Sequence, residues 1–204
     1  MTAASHDALE RLSALLAARR EDELDSAMRI AERAAGSTAV EEAILQSYLF
    51  LGYPVALNAM ARWRALSAVP RPERAEIDRS TWMDRGEEVC ALVYGGQYER
   101  LRANVRSLHP DMESWMVEEG YGKVLGRPGL SLLERELCIV ALLAVLDVPQ
   151  QLYSHLRGAL NVGGTEEAVD GALEVGLQYA EPAARQRARE TWVALRARTE
   201  LEDC

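Results

Sequence analysis

Lysine is nearly absent from this chain. Lys123 is the single lysine among 204 residues, arginine carries the remaining positive charge, and the net charge is −9. Without a basic stripe to neutralise phosphates, nucleic acid is excluded as the expected partner. Cysteine is scarce too. Cys90, Cys138 and Cys204 form no C-x-x-C pair and show no metal-ligand spacing, a usage that suits reduced thiols in a cytoplasm. One phenylalanine and few β-branched runs argue against sheets, while abundant alanine and leucine favour an all-α protein. The uncharged run Leu137–Leu146 has ten residues, well short of the ~20 that cross a bilayer. The opening MTAASHDALERL has no basic segment followed by an apolar one, so neither a secretory leader nor a membrane span is expected.

What is present is helical periodicity with clear punctuation. Leu9, Leu12, Leu15 and Leu16 mark one face of a helix over Asp7–Ala18, and a second helix covers about Asp22–Ala35 before Gly36. A third runs from Ser37 or Thr38 to Gly52, and Pro54 opens a fourth that ends near Leu66. Val69-Pro70-Arg71-Pro72 reads as a linker. Three helices follow, one from Trp82 to Gly95-Gly96, one over Gln97–Leu108 and one opened by Pro110. The segment Glu119–Gly129, with four glycines and a proline in eleven residues, reads as an irregular loop. Ser131 and Glu134 form a capping box at the head of the apolar helix. Asp147-Val148-Pro149 breaks that helix, and the next reaches about Asn161 before Gly163-Gly164. Thr165 caps another to Tyr179. Pro182 opens a last, Arg-rich helix expected on the surface, with the tail LEDC expected to fray.

The two ends of the chain match at a fixed offset of 128 residues. Leu9 falls on Leu137, Leu24 on Leu152, Gly36 on Gly164, Leu49 on Leu177 and Pro54 on Pro182. Eleven such identities occur without a gap, against roughly four or five expected by chance in so Ala- and Leu-rich a chain. An internal two-fold repeat is therefore expected, in three parts. Residues 1–66 form a copy without site residues, 67–126 link, and 127–204 form the copy with a site. In the first copy Ala8 and Ala27 stand opposite Glu136 and His155, so any acid–base site belongs to the second.

The stretches RPGLSLLERELCIVALLAVL and LYSHLRGALNVGGTEEAVDGALEVGLQY resemble the carboxymuconolactone decarboxylase family, within the alkylhydroperoxidase D-like superfamily. EEAILQSYLFLGYPVALNAMARW looks like the helix pair that closes the same domain, and the segment from YERL to VLGRPGL is similar to the one preceding the family's core. The resemblance implies the alkylhydroperoxidase D-like helical fold. Redox members carry a Glu, a C-x-x-C pair and a His. The motif places Glu136 and His155 on the first and last, but Val148 and Gln151 occupy the cysteine positions. Thiol-based peroxide reduction needs a thiolate and a resolving partner, so that activity is disfavoured.

The non-redox branch implies a cofactor-independent decarboxylase or isomerase acting on a small carboxylated lactone or related cyclic acid. On that resemblance His155 would deliver a proton, and Glu136 would set its tautomer or relay the proton. Lys123 and Arg157 are candidates to hold substrate carboxylates, with Tyr121 and Gln151 as further candidate contacts. No metal or organic cofactor is expected, since one Glu and one His are too few ligands. Single-repeat relatives form rings of six, so the resemblance also implies self-association, most simply a homotrimer. Helix geometry sets a condition on the site. A simple antiparallel hairpin leaves Glu136 and His155 about 6 Å out of step along its axis. Other readings stay open at this stage. Glu136 also suits a solvated helix-start carboxylate and His155 a packed core histidine, in a non-catalytic binding or scaffold protein that keeps the fold.

Overall fold

The computed structural model describes residues 3–70, 73 and 78–202, and every regular element among them is helical. In chain order these are α1 (Ala3–Ala17), α2 (Glu21–Ala35), α3 (Ser37–Leu66), α4 (Trp82–Tyr94), α5 (Tyr98–Leu108) and α6 (Pro110–Trp115). A π-helix (Met116–Leu125) follows, then α7 (Leu132–Leu146), α8 (Pro149–Asn161), α9 (Glu166–Leu177) and α10 (Pro182–Glu202). The linker residues Arg71 and Pro72, and Cys204 in the tail, lie outside the described residues.

α7 is the central element. The Ser131 hydroxyl accepts from the Glu134 amide at 3.3 Å and the Glu134 carboxylate accepts from the Ser131 amide at 2.6 Å, completing the capping box. Asp147, at φ 60°, ends the helix in the left-handed region, and Pro149 starts α8 in its first turn. Residues Leu137 to Ala144 are buried without interruption, because α1 packs on one side of α7 and α8 and α9 on others. Two apolar clusters result. Leu137, Ile139, Leu142 and Leu143 pack with Leu156, Leu173 and Trp192, while Leu12, Leu16, Met28, Ile44 and Trp63 pack together beside Cys138.

The helix boundaries of the two ends correspond. α2 begins at Glu21 and α8 at Pro149, and the second half of α3 begins near Pro54 where α10 begins at Pro182. The two expected helices over 37–66 are both present and meet within α3 at Gly52, whose φ of 75° and ψ of 166° are not helical. This element has the length and mean hydropathy, 1.2, of a possible membrane span, but the kink leaves neither half near the ~20 residues needed.

Two expectations are corrected. The segment Glu119–Gly129 is not a loop at its start, since residues to Leu125 continue the π-helix. Gly122 within it, and Gly86 of α4 opposite, serve close packing. A β-carbon at Gly122 would lie 1.9 Å from the Trp82 carbonyl oxygen, and one at Gly86 would lie 2.1 Å from that of Val117. A glycine-rich stretch that signals a turn in isolation is here the contact face between α4 and the π-helix. α10 is not simply a surface helix either. Ala184, Ala188, Trp192 and Leu195 form a buried stripe at helical spacing, and the arginines occupy the opposite faces.

A buried ion cluster fixes the approach to α7. Glu42 of α3 accepts from Arg135 Nη2 at 2.8 Å and from Arg127 Nη2 at 2.9 Å, and Arg135, fully buried, also donates to the Arg127 and Pro128 carbonyls. Gly129, at φ 98°, turns the chain beside Glu42, whose Cγ would lie 2.9 Å from an added β-carbon.

Candidate functional site

Glu136 lies one turn into α7 and is fully buried, so it is not a solvated helix-start carboxylate. His155 lies midway along α8, 7% exposed. Their side chains meet directly, with His155 Nδ1 2.8 Å from Glu136 Oε2. The packing of α8 on α7 thus brings the two side chains into contact despite the axial mismatch that a simple hairpin would leave. Gly158 permits this approach, because a β-carbon there would sit 2.9 Å from Glu136 Oε2 and 2.7 Å from Val93 Cγ1. Asn161 ties the end of α8 to α4 by donating to the Val93 carbonyl at 2.8 Å.

The pair is asymmetric. With Nδ1–H donating to the carboxylate, Nε2 is the ring atom that gives or takes a proton, and among the described residues no hydrogen bond engages it. Glu136 Oε1 is buried and has no hydrogen-bond partner among the described residues, which leaves acceptor capacity in a desolvated place. Phe50 packs edge-on to the imidazole with ring centroids 5.7 Å apart. This orientation fits an imidazole held in one tautomer for proton transfer.

The other expected residues divide. Tyr121 is buried, and its hydroxyl is bonded to that of Tyr94 at 3.0 Å. Burial foremost, with Tyr94 and the Glu136 charge adding to it, pushes the Tyr121 phenol far above its ordinary range. Lys123 stands over the rings of Tyr48 and Trp82, at 5.4 and 5.7 Å, with its ammonium 3.6 Å from Glu119. Gln151 shares a helix face with His155, one turn earlier, and is exposed. Arg157, two residues beyond His155, points the other way around α8. It lines a cavity of about 830 Å³ between α8, α4, α5 and α10, to which neither Glu136 nor His155 contributes.

The described thiols are poor nucleophiles. Burial pushes both Cys90 and Cys138 up to about 12, opposed at Cys90 by Arg102 and reinforced by Glu136. Sequence reasoning missed Gly158, Val93, Tyr94 and Phe50. A glycine within the helix HLRGALN is a legible signal of close approach, whereas contacts from α3 and α4 carry no local signal.

An all-helical protein with a desolvated carboxylate–imidazole pair between two central helices is what fold and site together define. Residues 110–193 match the model of the carboxymuconolactone decarboxylase family. The chain is 31% identical over 147 residues to "Peroxisomal protein 2" of Schizosaccharomyces pombe, covering 70% of this chain and 68% of that protein. It is 35% identical over 79 residues to "Peroxisomal protein 2" of Saccharomyces cerevisiae, covering 38% of this chain and 28% of the relative. It is also 31% identical over 84 residues to "4-carboxymuconolactone decarboxylase" of Acinetobacter baylyi, covering 41% of this chain and 63% of the relative. The chain belongs to the carboxymuconolactone decarboxylase family.

Proposed function

We propose that Glu136 and His155 form the proton-transfer site of a cofactor-independent decarboxylase or isomerase acting on a small carboxylated lactone or related cyclic acid. The observation that carries this reading is the 2.8 Å contact between a fully buried carboxylate and an imidazole whose other nitrogen has no hydrogen bond among the described residues. The relative named 4-carboxymuconolactone decarboxylase supports the substrate class. When the carbon–carbon bond to a substrate carboxylate breaks, CO₂ departs and its electron pair stays on the ring carbon. Protonated His155 then gives the Nε2 proton to that carbon, and the Glu136 charge stabilises the imidazolium before transfer. Solvent restores the proton. Lys123 and Gln151 are the proposed contacts for the remaining substrate oxygens.

A second reading is favoured by one observation. Neither pair member lines the 830 Å³ cavity, and His155 is nearly closed to solvent. On that reading the pair is a structural tie in a non-catalytic binding or scaffold protein.

Turnover of carboxymuconolactone and related lactones by the wild type and by His155→Ala separates the two. The enzyme reading expects a loss of about 10²-fold or more with an unchanged circular-dichroism melt. No turnover by the wild type, or equal turnover by the variant, overturns it. The proposed assembly is a homotrimer held by apolar faces such as that of α3, where Tyr53 and Leu57 are 58% and 62% exposed. Light scattering that returns a monomer refutes the assembly. The proposed compartment is the cytoplasm; the relatives named Peroxisomal protein 2 make peroxisomal fluorescence of a tagged chain the outcome that would overturn it.

A further inference from the structure

Phe50 is the only phenylalanine in the chain, and it stands at the central pair. It belongs to α3, yet it packs on His155 of α8, with ring centroids 5.7 Å apart and planes at 79°. Glu136 takes the Nδ1 edge of the imidazole, so Phe50 stands against the remainder of that ring. At the offset of 128 Leu49 falls on Leu177, but Phe50 falls on Gln178. The aromatic is thus no part of the apolar pattern that the two ends share.

Burial along α3 separates framework from cover. From Ala39 to Ser47 the helix is mostly buried, whereas Tyr48 to Leu51 are half-buried and Gly52, Tyr53 and Pro54 are exposed. A half-buried phenyl ring therefore packs on a nearly closed imidazole. The phenyl ring offers no hydrogen bond, and His155 Nε2 makes none among the described residues. Water at that nitrogen would compete for its proton and weaken the hold of the Glu136 charge. The ring also presents a flat apolar surface, on which another flat ring packs offset or edge-on. Phe50 lies in the last turn before the non-helical Gly52, where the chain can give way without disturbing the buried part of α3.

We propose that Phe50 is a specificity-determining residue: it caps the His155 imidazole against water and supplies the apolar face on which a flat cyclic substrate packs. The part in substrate choice rests on the proton-transfer reading of the Glu136–His155 pair. The cap over the imidazole does not.

Carbethoxylation by diethylpyrocarbonate, followed for each histidine by mass spectrometry, tests the cap without a substrate. The reagent acylates an unprotonated imidazole nitrogen, and with Nδ1 held by Glu136 the atom it must reach is Nε2. His155 in the wild type should react more slowly than His109, whose side chain is 56% exposed. Phe50→Ala should raise the His155 rate by about tenfold or more and leave the His109 rate unchanged. Phe50→Tyr, which keeps the ring, should stay near the wild type. Phe50→Leu gives the same reading, with a smaller rise, should alanine unfold the chain.

In turnover, Phe50→Ala should raise KM for carboxymuconolactone by about tenfold. It should also narrow the kcat/KM preference for the flat unsaturated lactone over its ring-reduced counterpart, with Phe50→Tyr restoring both. A wild-type His155 as reactive as His109, an unchanged His155 rate in the ring-less variants, or an equal loss on both lactones overturns the proposal. Unchanged carbethoxylation in an enzyme that His155→Ala inactivates removes the cap and leaves the decarboxylase reading standing. A wild type without turnover removes that reading and the substrate role together, and the carbethoxylation rates then decide the cap alone.

Discussion

Gly158 stands against Glu136, with room for a hydrogen but not for a methyl group: a β-carbon at position 158 would lie 2.9 Å from Glu136 Oε2. The contact between α7 and α8 therefore depends on a residue with no chemistry of its own. Helix propensity alone favours alanine at this position by about 1 kcal/mol.

Gly158→Ala is expected to reverse that preference. The methyl group meets Val93 and the carboxylate together, so α8 must shift and the 2.8 Å bond to His155 must lengthen. Stability should fall by about 1–3 kcal/mol in urea unfolding. The His155 imidazole resonances in an NMR spectrum should move with it. A variant as stable as the wild type, with those resonances unchanged, would show that the close approach is unimportant.

Glu42 holds two arginines, one of them fully buried. Glu42→Ala leaves the Arg135 guanidinium desolvated without its counter-charge, at an expected loss of about 3–5 kcal/mol. Replacing an exposed partner such as Glu174, which pairs with Arg189, should change stability by less than about 1 kcal/mol. Denaturation midpoints of the two variants measure the difference directly.

Glu10 provides a pH test. It is 4% exposed on α1, and burial, with the nearby Asp7 charge adding to it, raises its pKa to about 8 from an ordinary 4.5. The folded state thus holds a proton that the unfolded state releases, and stability falls as pH rises from about 4.5 through about 8. Glu10→Gln removes this dependence. Its advantage over the wild type should be small at about pH 5 and grow to the order of a few kcal/mol by about pH 8. Parallel stability curves across that range would refute the assignment.

Much of the helical framework was legible because its signals are local. The capping box at Ser131 and Glu134, the break at Asp147-Val148-Pro149 and the start at Pro182 depend on residues within a turn of each other. Arg19 and Asp147, 128 positions apart, take φ of 56° and 60° and end α1 and α7 alike, which is consistent with the doubled pattern of identities. The π-helix was misread because a glycine's role as turn or contact depends on what lies opposite. For Gly122 that is Trp82, from a different helix.

By itself, then, the sequence determined an all-helical chain, most of its element boundaries, its family resemblance and the two residues that form the central pair. Apolar periodicity, caps and prolines act over one or two turns, and a family motif is carried by the residues themselves. Tertiary structure alone decided that Glu136 and His155 touch, that Arg157 lines a different cavity, and that Phe50 of α3 packs on the imidazole. Those facts rest on helix crossing angles and on side chains from distant segments, set by the packing of whole helices rather than by any local run of residues.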